Sequence, residues 1–520
     1  MSDAPPRAPG TGTAGLRGRL APLWRHVRAR FTVDTRALAA MRIALGLTLI
    51  GDLLHRAQYL ELFYTDSGVY PLSASEATYT QFNGLSVHAL SGALWFQQLL
   101  FVLAGLLALA FILGYRTRLV GLLSLLLLFS LHARNPGVLN GGDRLLRVVL
   151  FVALVAPLGE RWSVDALRRG SAREQVASFG TAAVLVQPIA VFTSNALQKH
   201  QGEHWYAGEG LEIALHNDTM TIFLGDVIVE YPALLTALNY AWVGLLAGSI
   251  VLLGLTTGWP RALAALAYVG AFAGMAATMA VGVFPFALAA AVLPFLTTPF
   301  WDAIARRVPA TWTDRLPDAG HLGPLGRPPG ERRLLDRLRR AGQAPIADYA
   351  VAYGRALLTV AGAAVLVWVV LFTAVDLGGY DTPGASTHLD QQQWGLYAPD
   401  PSDSYAWFVV EAELANGSSV DALDGGAVSY ERPADAAAEY DSFRHRKYLQ
   451  QVRDSGFGTT DGVIATNYAT WACQRASSRQ AGRVERVSVY RMYQESPIDG
   501  TYEEPLRQLV VRRDCASDPN

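Results

Sequence analysis

Of the 43 lysine and arginine residues in this 520-residue chain, only Lys199 and Lys447 are lysine. An ammonium can be tuned to give up its proton and a guanidinium cannot, so a lysine kept against an arginine background is a candidate base. Lys199 directly follows an apolar stretch, at a boundary where water is scarce. Lost hydration disfavours the ammonium there, and the neutral amine can act as a general base. The competing reading is a lysine that snorkels to the lipid headgroups. Just beyond it, His200-Gln201-Gly202-Glu203-His204 fits H-x-x-E-H, in which two histidines one helical turn apart bind zinc beside a catalytic glutamate. That site needs an unbroken helix and a further acidic ligand, and Gly202 interrupts the segment. A metal-dependent hydrolase built on His200, Glu203 and His204 therefore stands as an alternative to a loop of interfacial polar residues.

Other polar residues gather near apolar runs. Asn140-Gly141-Gly142-Asp143 precedes one, which places Asp143 at a helix N-terminus where the dipole favours a carboxylate and its oxygens cap free amides. Functionally, Asp143 and Arg144 would face the same outer cavity as Lys199, a polar pair for a quinone oxygen or a substrate carboxylate. Arg42 and Asp52 lie within the first span, close to three turns apart and so on neighbouring faces. Charges inside a span are costly and face the bundle interior, which points to pairing with another helix. Tyr64, Asp66, Gly68 and Pro71 form a turn-rich outer loop able to roof the cavity, and tyrosine at a membrane boundary is also a common anchor.

The elements that must position these residues are membrane helices. Mean hydropathy is +0.21, and 51% of residues are hydrophobic against 17% charged, where soluble domains carry about 25%. The formal net charge of −1 gives no reason to expect a nucleic-acid partner. Stretches of about 17–25 apolar residues mark membrane spans. Nine candidates are present, at 37–54, 93–113, 117–133, 145–158, 179–197, 233–255, 262–281, 283–298 and 351–375. The basic N-terminus has no small-residue cleavage site after its first apolar core, so that core is expected to stay as an anchor.

Arginines alternate with the spans. They cluster before the first span, at 116–118, at 161–173, at 261 and throughout 306–340, while the intervening loops hold few; short Lys/Arg-rich loops stay cytoplasmic. The expected fold is a polytopic all-α bundle of about nine transmembrane helices with a small C-terminal α+β extracytoplasmic domain, in the cell membrane and with the N-terminus cytoplasmic. Its parts are a basic segment at 1–30, a membrane domain at 31–300, a cytoplasmic Arg/Pro-rich loop at 301–350, a last helix at 351–375 and the outer domain at 376–520. In the outer domain Ala406–Leu414 alternates, meets Asn416-Gly417 and continues as a hairpin. Residues 440–454 and 461–476 read as helices and 484–494 and 505–513 as strands. Cys473 and Cys515, the only cysteines, are placed to form one disulfide outside the cell. Asn217-Asp218-Thr219 and Asn416-Gly417-Ser418 are acceptor sequons on the same side. The stretch 331–340 is compatible with an amphipathic helix at the headgroups or with a plain topological determinant.

Three stretches carry a family likeness: Arg42-Ile43-Ala44-Leu45-Gly46 with Asp52-Leu53-Leu54 and Phe63-Tyr64-Thr65-Asp66-Ser67-Gly68-Val69-Tyr70-Pro71; Asn140-Gly141-Gly142-Asp143-Arg144-Leu145-Leu146; and Lys199 followed by Trp205 and Gly208. In this order they resemble the horizontally transferred transmembrane (HTTM) domain family, relatives of vitamin K-dependent gamma-carboxylase. The likeness covers roughly residues 30–300, and Trp394-Gly395-Leu396-Tyr397-Ala398-Pro399 resembles the start of the outer domain that often follows. The resemblance implies a reduced quinone cofactor (a vitamin K-like hydroquinone) used with O2 and CO2, and Lys199 as the base that deprotonates it. It implies cofactor contacts from Tyr64, Asp66, Trp205 and Arg42, with Asp143 and Arg144 beside the base. The animal enzymes also use a histidine after an Asn-Asn pair, and glycine stands in the segment that corresponds, Asn140-Gly141-Gly142-Asp143. Lys199 and Trp205 are also one residue further apart than in the carboxylases.

Two functions of different class follow. One is a quinol-dependent, carboxylase-like or epoxidase-like membrane enzyme acting on a protein or small-molecule substrate at the outer face. The other is a non-catalytic scaffold that binds membrane lipids or a partner. The solitary Lys199 favours the first and the missing histidine the second.

Overall fold

Asp34 accepts the amide of Arg36 and so starts the first long helix, α1 (Thr35–Ala57). Numbering the longer helices onward, the bundle contains α2 (Leu94–Ile112), α3 (Thr117–Arg134), α4 (Gly141–Leu154), α5 (Phe179–Lys199), α6 (Pro232–Ser249, prolonged by a π-type turn to Leu255), α7 (Gly258–Thr278), α8 (Phe284–Val292), α9 (Thr298–Arg307) and α10 (Ala344–Gly378). The computed structural model describes residues 22, 25–216, 220–307, 344–378, 395, 397–435, 440, 442–456, 462–495 and 502–515. The sequon at Asn217, most of the basic N-terminal segment and the Arg-rich stretch 331–340 lie outside them.

Seven helices among the described residues are long and apolar enough to cross a membrane, and a bent pair, Phe284–Phe295 with Thr298–Ala305 at 96°, makes an eighth. The expectation of nine differs at the segment around 145–158. The helix there, α4, has 14 residues and spans about 21 Å, short of a hydrocarbon core of about 30 Å. The break after α8 follows from Pro294, which cannot continue the hydrogen-bond ladder.

α5 is the central helix, with 78% of its apolar window buried, whereas the window of α10 is 17% buried. α10 packs along α5 and turns Leu357, Val360 and Leu371 outward, the exposure a lipid-facing helix needs. Two short strands, β1 (Thr32–Asp34) and β2 (Gln175–Ala177), pair antiparallel and tie the start of α1 to the start of α5.

The C-terminal domain follows the expected pattern closely. Strands β3 (Ser404–Leu414), β4 (Ser419–Asp421), β5 (Val484–Glu495) and β6 (Leu506–Asp514) form an antiparallel sheet in the order β4-β3-β5-β6. Gly417, at φ 83°, makes the tight turn between β3 and β4. Helices α11 (Phe443–Asp454) and α12 (Val463–Arg479) cover one face, and the Cys473–Cys515 disulfide bonds α12 to the residue after β6.

This domain is not an independent bead. Tyr448, Leu449 and Tyr468 share one buried cluster with Phe63, Tyr64 and Tyr70 from the loop after α1. The Tyr448 hydroxyl donates to the Val69 carbonyl at 2.9 Å, and Phe443 packs where a Cβ on Gly282 would stand. The loops after α1, α3, α5 and α7 thus meet at the end of the bundle that carries the sheet. The opposite end gathers Arg116, Arg118, Arg161, Arg168, Arg169, Arg173, Arg261, Arg306 and Arg307, on the loops after α2, α4, α6 and α8.

Candidate functional site

α5 ends at Lys199 because the next turn is captured from outside. Both carboxylate oxygens of Asp400 accept main-chain amides, from Glu203 at 2.9 Å and His204 at 3.0 Å, and they start a short helix at His204–Ala207. That helix swings the Trp205 indole back beneath Lys199. The Lys199 ammonium nitrogen stands 3.3 Å from the centroid of the Trp205 ring, and both Lys199 Nζ (2.8 Å) and Trp205 Nε1 (2.7 Å) donate to the Tyr397 carbonyl. Buried Asn239 of α6 fixes the turn: its Nδ2 donates to the Trp205 carbonyl at 2.7 Å and its Oδ1 accepts from the Leu211 amide at 3.0 Å. Tyr397 itself is held at φ 51°, and its hydroxyl reaches the Met220 sulfur.

Lys199, 2% exposed, forms part of the wall of a cavity of about 440 Å³ between α5, α6, α7 and α8. Asn195, one turn before it, and Trp205 and Tyr397 share the polar end; Val191, Phe192, Leu238, Trp242, Leu245 and Phe284 make the apolar body. This is an apolar pocket with a few convergent polar groups at one end, the usual form of a small-molecule site. Chemically, the arrangement sets the Lys199 nitrogen against the Tyr397 carbonyl and the Trp205 indole face, two groups that favour a cation. Asn195, Asn239, Tyr397 and Asp400 were not singled out from the sequence. Asn195 is signalled by its i−4 spacing from Lys199, and Tyr397 lies inside the quoted 394–399 motif. Asn239 and Asp400 had no signal of their own.

Asp143 is elsewhere. Its side chain caps α4, accepting from the Asn140 amide at 2.8 Å, and is also the centre of a buried charge network. Arg444 of α11 donates to both Asp143 oxygens at 3.0 Å and to Asp52 Oδ1 at 2.6 Å; Arg56 donates to Asp52 Oδ2 at 2.7 Å, to the Tyr64 hydroxyl at 2.6 Å and to Asp143. Two carboxylates and two guanidinium groups balance one another there, with His132 within 3.1 Å of Arg56. Asp52, His132 and Asp143 have the spacing of a metal cluster, yet these arginines already occupy the carboxylate oxygens. Neither Asp143 nor Arg144 lines the Lys199 cavity, so the expected common cavity is not formed. Tyr64 belongs to the charge network. The loop of Asp66, Gly68 and Pro71 packs beneath the C-terminal domain rather than over Lys199, and the exposed Asp66 carboxylate accepts the Leu72 amide at 2.9 Å.

Arg42 lies at the far end of α1, where Nη1 donates to the Leu158 carbonyl at 2.7 Å and Nη2 to Ile112 at 3.2 Å and to Trp162. It ties helix ends together in the arginine-rich half and is no neighbour of Lys199. The H-x-x-E-H segment does not form one helix: His200 ends α5, Glu203 precedes the next turn, and His204 Nδ1 pairs with Glu209 at 2.9 Å. The Glu209 carboxylate raises the His204 imidazole above its ordinary range. The two histidines therefore lack the common helical face a zinc pair requires.

A family model, the HTTM domain, matches residues 31–301, just over half of the chain. No curated protein and no solved structure matches.

Proposed function

The chain belongs to the HTTM domain family, and from that premise we propose that it is a membrane enzyme in which Lys199 takes a proton from a quinol-like, lipid-soluble compound. The observation that carries this reading is the setting of Nζ, at the polar end of an apolar cavity with the Tyr397 carbonyl and the Trp205 face against it. A cavity of about 440 Å³ lined by Phe192, Trp242 and Phe284 fits a flat aromatic ring, with Val191, Leu238 and Leu245 along an apolar tail. A reduced quinone, when bound, supplies an acidic hydroxyl and a ring that reacts with oxygen. Lys199 accepts the proton at Nζ, Tyr397 and Trp205 hold the resulting ammonium, and the apolar walls keep water from it. Glycine stands in the segment where the carboxylases carry their histidine, so the proposed chemistry is the quinol step without CO2-dependent carboxylation of glutamate.

The orientation belongs to the same proposal. The arginine-rich end is cytoplasmic, and the sheet domain and the Lys199 loop are extracytoplasmic. α4 and the bent α8–α9 pair begin on the sheet side and lead into Arg161 and into Arg306–Arg307, which supports nine passes of the chain.

The test is oxygen-dependent consumption of a reduced naphthoquinone by the full chain in nanodiscs. Lys199→Ala and Lys199→Arg each lose about 100-fold or more, the scale of a lost general base, while melting as folded protein. Turnover kept by the arginine variant removes Lys199 as base, since a guanidinium stays protonated. Saturable binding with no turnover in the wild type would replace the enzyme by a lipid-binding scaffold.

A further inference from the structure

A second and larger cavity, about 1180 Å³, lies at the opposite end of the bundle, between the N-terminus of α5 and the flank of α10. Its rim carries Arg28, Arg118, Arg169 and Arg173 against one carboxylate, Glu160. Glu160 is spoken for by Arg173 at 2.7 Å and Arg169 at 3.5 Å. Asp165 nearby is also engaged, accepting from the Arg116 and Thr117 amides at 2.9 and 2.8 Å. The side chains of Arg28 and Arg118 make no hydrogen bond or ion pair among the described residues. Beneath this rim the wall is apolar, built from Phe31, Val155, Phe179 and Ala182 on one side and Leu358 and Leu366 of α10 on the other. The two helices touch at Gly362, at which an added Cβ would stand 3.0 Å from the Gly180 nitrogen.

A cationic rim above an apolar slot between membrane helices complements a molecule with an anionic head and a hydrocarbon tail. We propose that this cavity holds an anionic phospholipid, its phosphate between Arg28 and Arg118 and one acyl chain in the slot between α5 and α10. Four guanidinium groups facing one carboxylate leave a surplus of three positive charges, a surplus a zwitterionic headgroup does not neutralise. The apolar slot is what separates a lipid from a free phosphate, which shares only the head chemistry. This site is independent of Lys199 and stands whether or not the quinol reading does.

The experiment is native mass spectrometry of the full chain in detergent, titrated with phosphatidylglycerol. One phosphatidylglycerol binds tightly to the wild type, and phosphatidylcholine does not compete. Arg28→Gln with Arg118→Gln weakens binding about 30-fold, at about 1 kcal/mol for each arginine. Arg28→Lys with Arg118→Lys restores it to within a few-fold. Affinity unchanged in the glutamine pair overturns the proposal. So does displacement by inorganic phosphate, which would make the rim a soluble-anion site. Should the glutamine pair fail to fold, the phosphate and phosphatidylcholine competitions on the wild type decide by themselves.

Discussion

His88 stands just before α2, 1% exposed, with Nδ1 at 2.8 Å from the Gln97 side-chain oxygen. Burial pushes its imidazole down from an ordinary value of 6.5 to about 4. Below pH 6.5 the unfolded chain takes up a proton that the folded chain refuses, so stability present above that pH is lost as the pH falls toward 4. The loss is up to about 3 kcal/mol. His88→Gln should flatten the acid limb of a melting-temperature profile between pH 6.5 and 4; an unchanged limb would remove His88 as its cause. At this scale the sequence is informative where residue type is unusual. Lys199 stands out because lysine is nearly absent, Asp52 because a charge inside a span must be paired, and Asp143 because it heads an apolar run at a helix N-terminus. Tyr397 contributes a main-chain carbonyl 198 positions beyond Lys199, and no residue type announces a carbonyl. Arg444, 301 positions beyond Asp143, is equally invisible as a partner, being one arginine among many.

At the scale of elements, α11 is the joint between sheet domain and bundle, and Arg444 is its anchor. Arg444→Met leaves two carboxylates facing Arg56 alone, and removing one partner from a buried set costs about 3–5 kcal/mol. Hydrogen exchange should rise across 443–454 before the rest of the protein opens. Adding Asp52→Asn, which restores the charge balance, should recover part of the loss, and a strictly additive double variant would deny the coupling. The long helices were legible from their length and apolarity alone. α4 and the bent α8–α9 pair were harder: they are short, buried among their neighbours, and their apolar runs do not show where proline or a cap cuts them. The strands of the C-terminal domain are legible to within about two residues because alternation and an Asn-Gly turn specify a hairpin locally.

The whole molecule is polarised. One end collects the sheet domain, the charge network and Lys199; the other collects arginines and the lipid-sized slot. A membrane-impermeant maleimide applied to intact cells should label a cysteine placed at Asn416 and leave one placed at Arg307 unlabelled. The reverse pattern would turn the chain over and put Lys199 on the cytoplasmic side. Arginine counting made the gathering of arginines at one end readable in the sequence, whereas the separation of Asp143 from Lys199 was not, since one precedes and the other follows a span at the same end and only packing divides them.

Tyr397 belongs to the segment of chain between the last membrane helix and the sheet, and its carbonyl accepts from both Lys199 and Trp205. A molecule that docked on the sheet and shifted this segment would therefore move the oxygen against which the amine rests. By reciprocity, if binding at the sheet changed the affinity of the cavity, a ligand in the cavity would change binding at the sheet by the same free energy.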